Sequence, residues 1–458
     1  MLTHLRIRNF KSWRDTGALR AAPITALFGT NSSGKTSLMQ LLLMLKQTAD
    51  SADRSQVLNL GDERSLVELG TFQEMIYSHN LELPLIWDLE WTLPETLRIE
   101  DPAQHSGVLF DGDELGLSAE IGWQGNGDGL GRANVRRMAY RFAEQEFGMQ
   151  AVAEGKREYD LIGPHDDFRF VRSTGRPWKL PQPAKCYGFP DQVRAYYQNA
   201  GFLSDLELQF EEFCNRVFYL GPLRDYPKRQ YPWSGAQPAD MGRRGERVVD
   251  ALLASREAGV LYSLGKGRKR QSLEGRVAHW LKELRLIDAF EVRPITPGGK
   301  LFQVWVRRHP NAAEVLITDV GFGVSQILPV ITLCYYAPKG STLLLEQPEI
   351  HLHPAVQAGL ADVLVDAVRT RGIQIILESH SEHLLRRLQR RIADETLAAD
   401  DAALYFCSTE QGESKITPLV LDMFGTIENW PEGFFGDEFA EIAETQMAII
   451  RRKKAGVA

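Results

Sequence analysis

Gly29-Thr30-Asn31-Ser32-Ser33-Gly34-Lys35-Thr36 fits the pattern G-x-x-x-x-G-K-[ST], and it stands where that pattern has a mechanical meaning. The apolar stretch before it, Ile24-Thr25-Ala26-Leu27-Phe28, reads as a buried strand. The stretch after it, Ser37 to Lys46, is rich in Leu and Met, has no breaker and reads as a helix. Strand, glycine loop and helix are the context the pattern requires. The two glycines let the loop curl so that backbone N–H groups converge on phosphate oxygens, and the helix N-terminus adds positive potential. Lys35 then reaches the outer phosphates and the Thr36 hydroxyl is placed to ligate Mg²⁺. Together with Gly29, Asn31, Ser32, Ser33, Gly34 and Ser37, these residues form a candidate nucleoside triphosphate site. A chance glycine turn is the competing reading, and the flanking elements disfavour it.

Working outward, 458 residues allow a substantial core and two or three lobes. At 43% hydrophobic and 25% charged the composition is that of an ordinary globular protein. No apolar run approaches the length of a membrane span. Met1 to Arg8 alternates like an opening strand and does not resemble a secretory signal. Cys186, Cys214, Cys334 and Cys407 are scattered with no C-x-x-C pair, which indicates neither a disulfide framework nor a cysteine zinc site. A reducing cytoplasm is the simplest expected home. The net charge of −7 argues against a surface that is basic throughout. The local basic runs at 266–270, 386–391 and 451–454 read as solvated faces or tails ahead of nucleic-acid contacts.

Strand signals recur at Leu5 to Ile7, and Leu85 to Trp91 and Met138 to Phe142 alternate like antiparallel strands. Residues 125–131 read as a loop and Thr174 to Pro190, dense in Pro and Gly, as a surface excursion. Helical spacing appears at Leu206, Phe210 and Phe213, and again at Val277, Trp280, Leu281 and Leu284. Between them Tyr219 to Arg224 reads as a strand end turning into a loop. From Phe290 the pattern becomes strands alternating with helices. Val315-Leu316-Ile317, Leu343 to Leu345, Ile373 to Leu377 and Leu404 to Phe406 read as buried strands, with helices such as Ala355 to Val368 as parallel crossovers. The expected division is 1–75 for the first part of the nucleotide core and 76–289 for an inserted β-rich and helical lobe. The rest of the core follows at 290–420 and a short helical region at 421–458.

Three further segments each supply a part of one site. Leu343-Leu344-Leu345-Glu346 is an apolar strand ending in a carboxylate, a Walker B pattern whose acid reaches Mg²⁺ directly or through water. His351 and His353 follow closely; a metal pair is one reading, but no third ligand is identifiable and a connecting loop fits better. The strand Ile373 to Leu377 runs into Glu378-Ser379-His380-Ser381, where His380 at the strand's end is placed to meet a γ-phosphate or the attacking water. The alternative is a histidine capping the next helix. Finally, Asp319 to Gln326, with Gly321, Gly323 and Ser325, opens a helix and is a second candidate phosphate-binding terminus. An ordinary glycine turn is as good a reading of that segment alone. One subunit does not easily grip one nucleotide with two such loops; two facing copies do.

The order of these motifs resembles the ATP-binding-cassette ATPases of the SMC, RecF and overcoming-lysogenization-defect branch. Leu5 to Ser12 is similar to that branch's opening "x-N-F-K-S" stretch, Glu346 to Pro354 to its "E-P-E-x-x-L-H-P" stretch, and Ser379-His380-Ser381 to its switch-histidine loop. Tyr219 to Arg224, Gly321 to Pro329 and Trp430 to Phe435 resemble a bacterial group of ATPases with a short C-terminal region of unknown role. The resemblance implies an α/β fold of the ABC-ATPase type, with a mixed, largely parallel sheet core, an antiparallel β subdomain and a helical insertion. It implies ATP and Mg²⁺ as ligands, and a head-to-tail homodimer that sandwiches ATP between the P-loop of one copy and the Gly321 loop of the other. Glu346 and Thr36 then serve the metal, Gln73 takes the Q-loop position and His380 senses the γ-phosphate.

Two departures stand out. Gly321 holds the usual signature serine position, leaving backbone N–H groups or Ser325 for phosphate recognition, and Gln347 holds the usual catalytic glutamate position. An amide orients water but takes no proton from it, so hydrolysis is expected to be slow unless Glu349 serves as base. Relatives of this kind serve defence against phage and plasmids or genome maintenance. The expected role is an ATP-gated dimeric switch acting with a separately encoded effector; the alternative is a DNA-binding repair clamp. The insertion lacks sustained heptads, which disfavours a long coiled-coil arm.

Overall fold

In the computed structural model, residues 1–100, 107–125, 131–153, 158–164, 168–175, 179–262, 269–431, 434 and 446–450 are described. The centre of the fold is a six-stranded sheet. Its spatial order is Val217–Leu220, Thr342–Glu346, Gln374–Glu378, Ile24–Gly29, Ala402–Glu410 and Glu413–Pro418. The first five strands are parallel and the last is antiparallel. Their sequences are apolar without alternation because both faces are covered. Leu343, Leu345, Ile375 and Leu377 face one core; Leu344 and Ile376 face another.

The P-loop helix Lys35–Asp50 lies on the second face, and the helix Leu203–Asn215 packs against it. Beyond them is an antiparallel sheet of eight strands that runs from Leu2–Phe10 through Leu85–Glu100, Val108–Gly125 and Gly131–Phe142. Here alternation is clean: Leu85, Trp87, Leu89 and Trp91 are buried, while Asp88 and Glu90 turn outward to Arg141. The other face of the parallel sheet carries the helices Val248–Glu257, Leu273–Glu283, Phe322–Tyr336, Pro354–Arg371 and Glu382–Ala393. Pro354–Arg371 is the expected crossover between neighbouring parallel strands.

The expected buried strand at Val315 to Ile317 is not part of the parallel sheet. Val315–Leu316 is a half-buried two-residue pairing to the hairpin Ala289–Pro294 and Leu301–Arg307, and Ile317–Asp319 turns as a 3₁₀ helix. The run is too short to cross the core. The antiparallel sheet joins strands on both sides of position 75, and Val217–Leu220 brings an edge strand from the inserted segment into the parallel sheet. The four segments therefore divide the chain but not its sheets.

Of the stretch Trp430 to Phe435, Trp430, Pro431 and Phe434 are described; Phe434 is buried edge-on against Phe28 of the P-loop strand and Phe406 beside it. Residues 446–450 are helical. The rest of the helix expected from Asp437 to Lys454, the loop at 126–130, residues 176–178 of the Pro- and Gly-rich excursion, and the basic residues 266–268 and 451–454 lie outside the described residues. Among the described residues no helix is long and apolar enough to cross a membrane.

Candidate nucleotide site

The candidate site gathers at the carboxyl edge of the parallel sheet, where the strand ends release loops. Ile24–Gly29 runs directly into the glycine loop, and Gly34, left-handed at φ 85°, caps the helix that begins at Lys35. A side chain at either flanking glycine has no room. A Cβ on Gly34 would lie 2.6 Å from Ser414 Oγ and 2.8 Å from Trp13 Nε1; one on Gly29 would lie 1.9 Å from the Cys407 carbonyl oxygen. Trp13 Nε1 donates to the Gly34 carbonyl at 3.0 Å, so the antiparallel sheet braces the loop. The Lys35 ammonium is drawn across the loop, 2.7 Å from the Thr30 carbonyl, 3.2 Å from that of Gly29 and 3.4 Å from Ser33 Oγ. Burial lowers its pKa against the attraction of Glu378. Asn31 and Ser32 are exposed at the loop tip, Ser33 donates to Thr30, and Ser37 is buried in the first helical turn.

Thr36 does not meet Glu346. Its hydroxyl donates to Glu378 Oε2 at 2.6 Å, a carboxylate to which the sequence reading assigned no part. Glu346 and Glu378 end adjacent parallel strands in matching register and are 6% and 4% exposed. Glu346 instead accepts from the Tyr219 hydroxyl at 3.0 Å. Burial, and then the charge of Glu378, push the Glu346 carboxyl up to about 7; Tyr219, Arg224 and Lys11 pull the other way. Arg224 is 4% exposed, its Nη2 is 3.4 Å from the Glu346 carbonyl, and its Nε and Nη1 have no protein partner.

Gln347 is half-buried in the left-handed region at φ 41°, its N–H held by the Glu378 carbonyl at 2.9 Å. Glu349, considered as a base, is instead tied down. Its Oε1 accepts from Ser379 Oγ at 2.7 Å and from the His380 N–H at 2.8 Å, and Oε2 is buried without a partner. Burial raises its pKa despite those bonds. The arrangement is a clamp between the acidic loop and the histidine loop. His380 is half-buried, accepts the influence of Lys35 and the Gly29 backbone, and its pKa is lowered chiefly by burial. It does not cap the following helix; Ser381 does, through the Leu384 N–H at 3.1 Å.

Gly321 is exposed at the start of Phe322–Tyr336, with open space around the position of a Cβ. Gly323 is nearly as open, touching only Leu352. The Ser325 hydroxyl is turned back to the Phe322 carbonyl at 2.8 Å, which leaves the backbone as the free donor set. Phe322 stacks edge-on against His351, joining this loop to the one after the acidic strand, and His353 caps Pro354–Arg371. Gln73 sits on the short helix Phe72–Met75, its side chain exposed.

Among the described residues no three His, Cys, Asp or Glu side chains are grouped to hold a metal alone. A magnesium ion asks for less: hard oxygen donors, one or two carboxylates, and phosphates and water for the rest. Thr36, Glu346 and Glu378 are such a donor set.

Sheet order, glycine loop and acidic strand end define a P-loop ATPase fold of the ATP-binding-cassette type. Residues 243–386 match the family model described as "AAA domain, putative AbiEii toxin, Type IV TA system", and residues 397–444 match "Protein of unknown function (DUF3696)". The chain thus carries a segment similar to this AAA domain followed by one similar to DUF3696, in keeping with the resemblance drawn from its motifs; the P-loop itself precedes both matched spans. No curated protein matches the chain. Among solved structures it is similar to an Smc head bound to the C-winged helix domain of ScpA (11% identity over 92% of this chain and 98% of that one, TM-score 0.45). It is also similar to the SMC head domain from Thermotoga maritima (12%, 92% and 99%, 0.39). A third is the Smc head with an extended coiled coil bound to the C-terminal domain of ScpA, derived from Pyrococcus furiosus (11%, 98% and 99%, 0.40).

Proposed function

We propose that this protein binds ATP with Mg²⁺, hydrolyses it slowly, and uses it as a switch between single and paired copies. The observation that carries this reading is the convergence of Lys35, Thr36, Glu346 and His380 on one edge of the parallel sheet, from three separate strand ends. Lys35 and the loop N–H groups hold the phosphates, and His380, beside Gly29 and Lys35, lies on the γ-phosphate side. Bound Mg²⁺ supplies charge neutralisation of the phosphates, with Thr36 and the strand-end carboxylates to hold it. Gln347 stands where a base is needed and takes no proton, which slows turnover.

Pairing rests on the Gly321 helix start, which is open and offers backbone donors to a phosphate held by a second copy. In the role of sensor the switch acts on a separately encoded effector in defence against phage or plasmids, a reading to which the AbiEii description of the matched family lends support. The exposed apolar residues Val420, Met423 and Phe424, in the DUF3696 region, support a protein partner. The DNA clamp is the weaker reading, because Arg387 and Arg391 of the basic helix are ion-paired with Asp362 and Arg386 with Glu382.

The test is binding and turnover of ATP and GTP by the full chain and by Lys35→Ala, with and without DNA. The proposal expects ATP binding and slow turnover, both lost in Lys35→Ala while the fold persists. Equal binding by both proteins would refute it, and strong stimulation by DNA would favour the clamp.

A further inference from the structure

We propose that Glu378 is a metal-positioning residue, so that the cation beside Thr36 is governed by two carboxylates, Glu346 and Glu378, from adjacent strands. The inference rests on the ATP reading above. A threonine hydroxyl has one hydrogen, and here Glu378 Oε2 takes it at 2.6 Å. The lone pairs of Thr36 Oγ1 are then the part of the hydroxyl left for a cation. The register fixes this geometry. Glu378 lies opposite Glu346 on one side and Leu27 of the P-loop strand on the other, which brings its side chain to the first turn of the P-loop helix. Its carbonyl also holds the Gln347 N–H, tying the same residue to the water-side position.

Electrostatics gives the independent reason. Two side-by-side carboxylates, each at most 6% exposed, are expensive unless something positive joins them. Among the described residues neither has a Lys or Arg nitrogen within ion-pair distance. Lys35 is spent on the loop carbonyls, and Arg224 reaches only the Glu346 backbone. A divalent cation held beside Thr36 and Glu378 would offset the charge of both acids, which end adjacent strands in register. A chain that lacks the usual glutamate at position 347 thus regains an acid one strand over, at a position that orients the metal ligand.

The experiment titrates Mn²⁺, read by electron paramagnetic resonance, into the full chain with a non-hydrolysable ATP analogue, and separately measures analogue binding in EDTA. E378Q still accepts the Thr36 hydrogen bond but has lost the charge. It is expected to weaken Mn²⁺ binding in the nucleotide complex about 10- to 100-fold, with metal-free nucleotide affinity changed less than about twofold. E378D, which keeps the charge on a shorter arm, is expected to fall between E378Q and the unaltered chain, and it carries the comparison if E378Q does not fold. A purely structural role would alter melting and metal-free binding while leaving Mn²⁺ affinity in place. Unchanged Mn²⁺ affinity in variants that still bind nucleotide overturns the inference alone. Failure of the unaltered chain to bind the analogue overturns the ATP reading with it.

Discussion

At the scale of the residue, the site is set by which side chain each carboxylate and amide actually meets. Replacing Gln347 by Glu restores a proton acceptor without altering the backbone, whose φ of 41° is already fixed by the bond to the Glu378 carbonyl. Gln347→Glu is expected to raise single-turnover ATP hydrolysis by about 100-fold or more, the lower end of what a general base contributes. Away from the site, Glu207 on Leu203–Asn215 is held up at about 7 by burial, with Glu211 adding to the rise and the Phe189 N–H, Arg194 and Arg54 opposing it. Its folded pKa lies above its unfolded value near 4.5, so the native state holds the extra proton and stability falls as pH climbs from about 4.5 to 7. Glu207→Gln is expected to remove that slope, worth on the order of 3 kcal/mol, seen as a flatter pH profile of the melting temperature. The P-loop was legible at this scale because its residues are contiguous. Glu378 was not, since its partner is 342 positions away; the available signal was that two apolar runs, Leu343 to Glu346 and Ile375 to Glu378, end in the same residue type.

Among the elements, a buried polar junction holds three helices in place over the parallel sheet. Arg276 of Leu273–Glu283 is 1% exposed, bonds Asp366 of Pro354–Arg371, and lies 5.0 Å from the ring centre of Tyr335 on Phe322–Tyr336. Removing one partner leaves a poorly solvated charge, so Arg276→Met is expected to cost about 3 kcal/mol in urea denaturation, and adding Asp366→Ala to recover much of it. Ser381→Ala removes the cap that seats the His380 loop and is expected to cost about 1 kcal/mol. The long apolar or alternating runs were readable because period and length specify them. Val315 to Ile317 misled because a three-residue apolar stretch carries no period, and its pairing with the hairpin beside it decides its place.

Across the whole molecule, the two sheets are laced together through the chain's order. The N-terminal strand joins the antiparallel sheet, the P-loop strand the parallel one, and Trp13 bonds the loop between them. That interleaving was hidden in the sequence, because strand pairing over such separations depends on partners that no local pattern names. At the other end Phe434 is buried against Phe28 of the P-loop strand and Phe406 of the strand beside it. Nucleotide-driven pairing is read by the solution mass of the full chain in light scattering, without nucleotide, with ATP and Mg²⁺, and with both in Lys35→Ala and Gly321→Asp. A doubling of mass with ATP and Mg²⁺ is expected that neither variant shows, with Gly321→Asp still binding ATP. A mass indifferent to nucleotide, or a doubling that survives in Lys35→Ala, would contradict it.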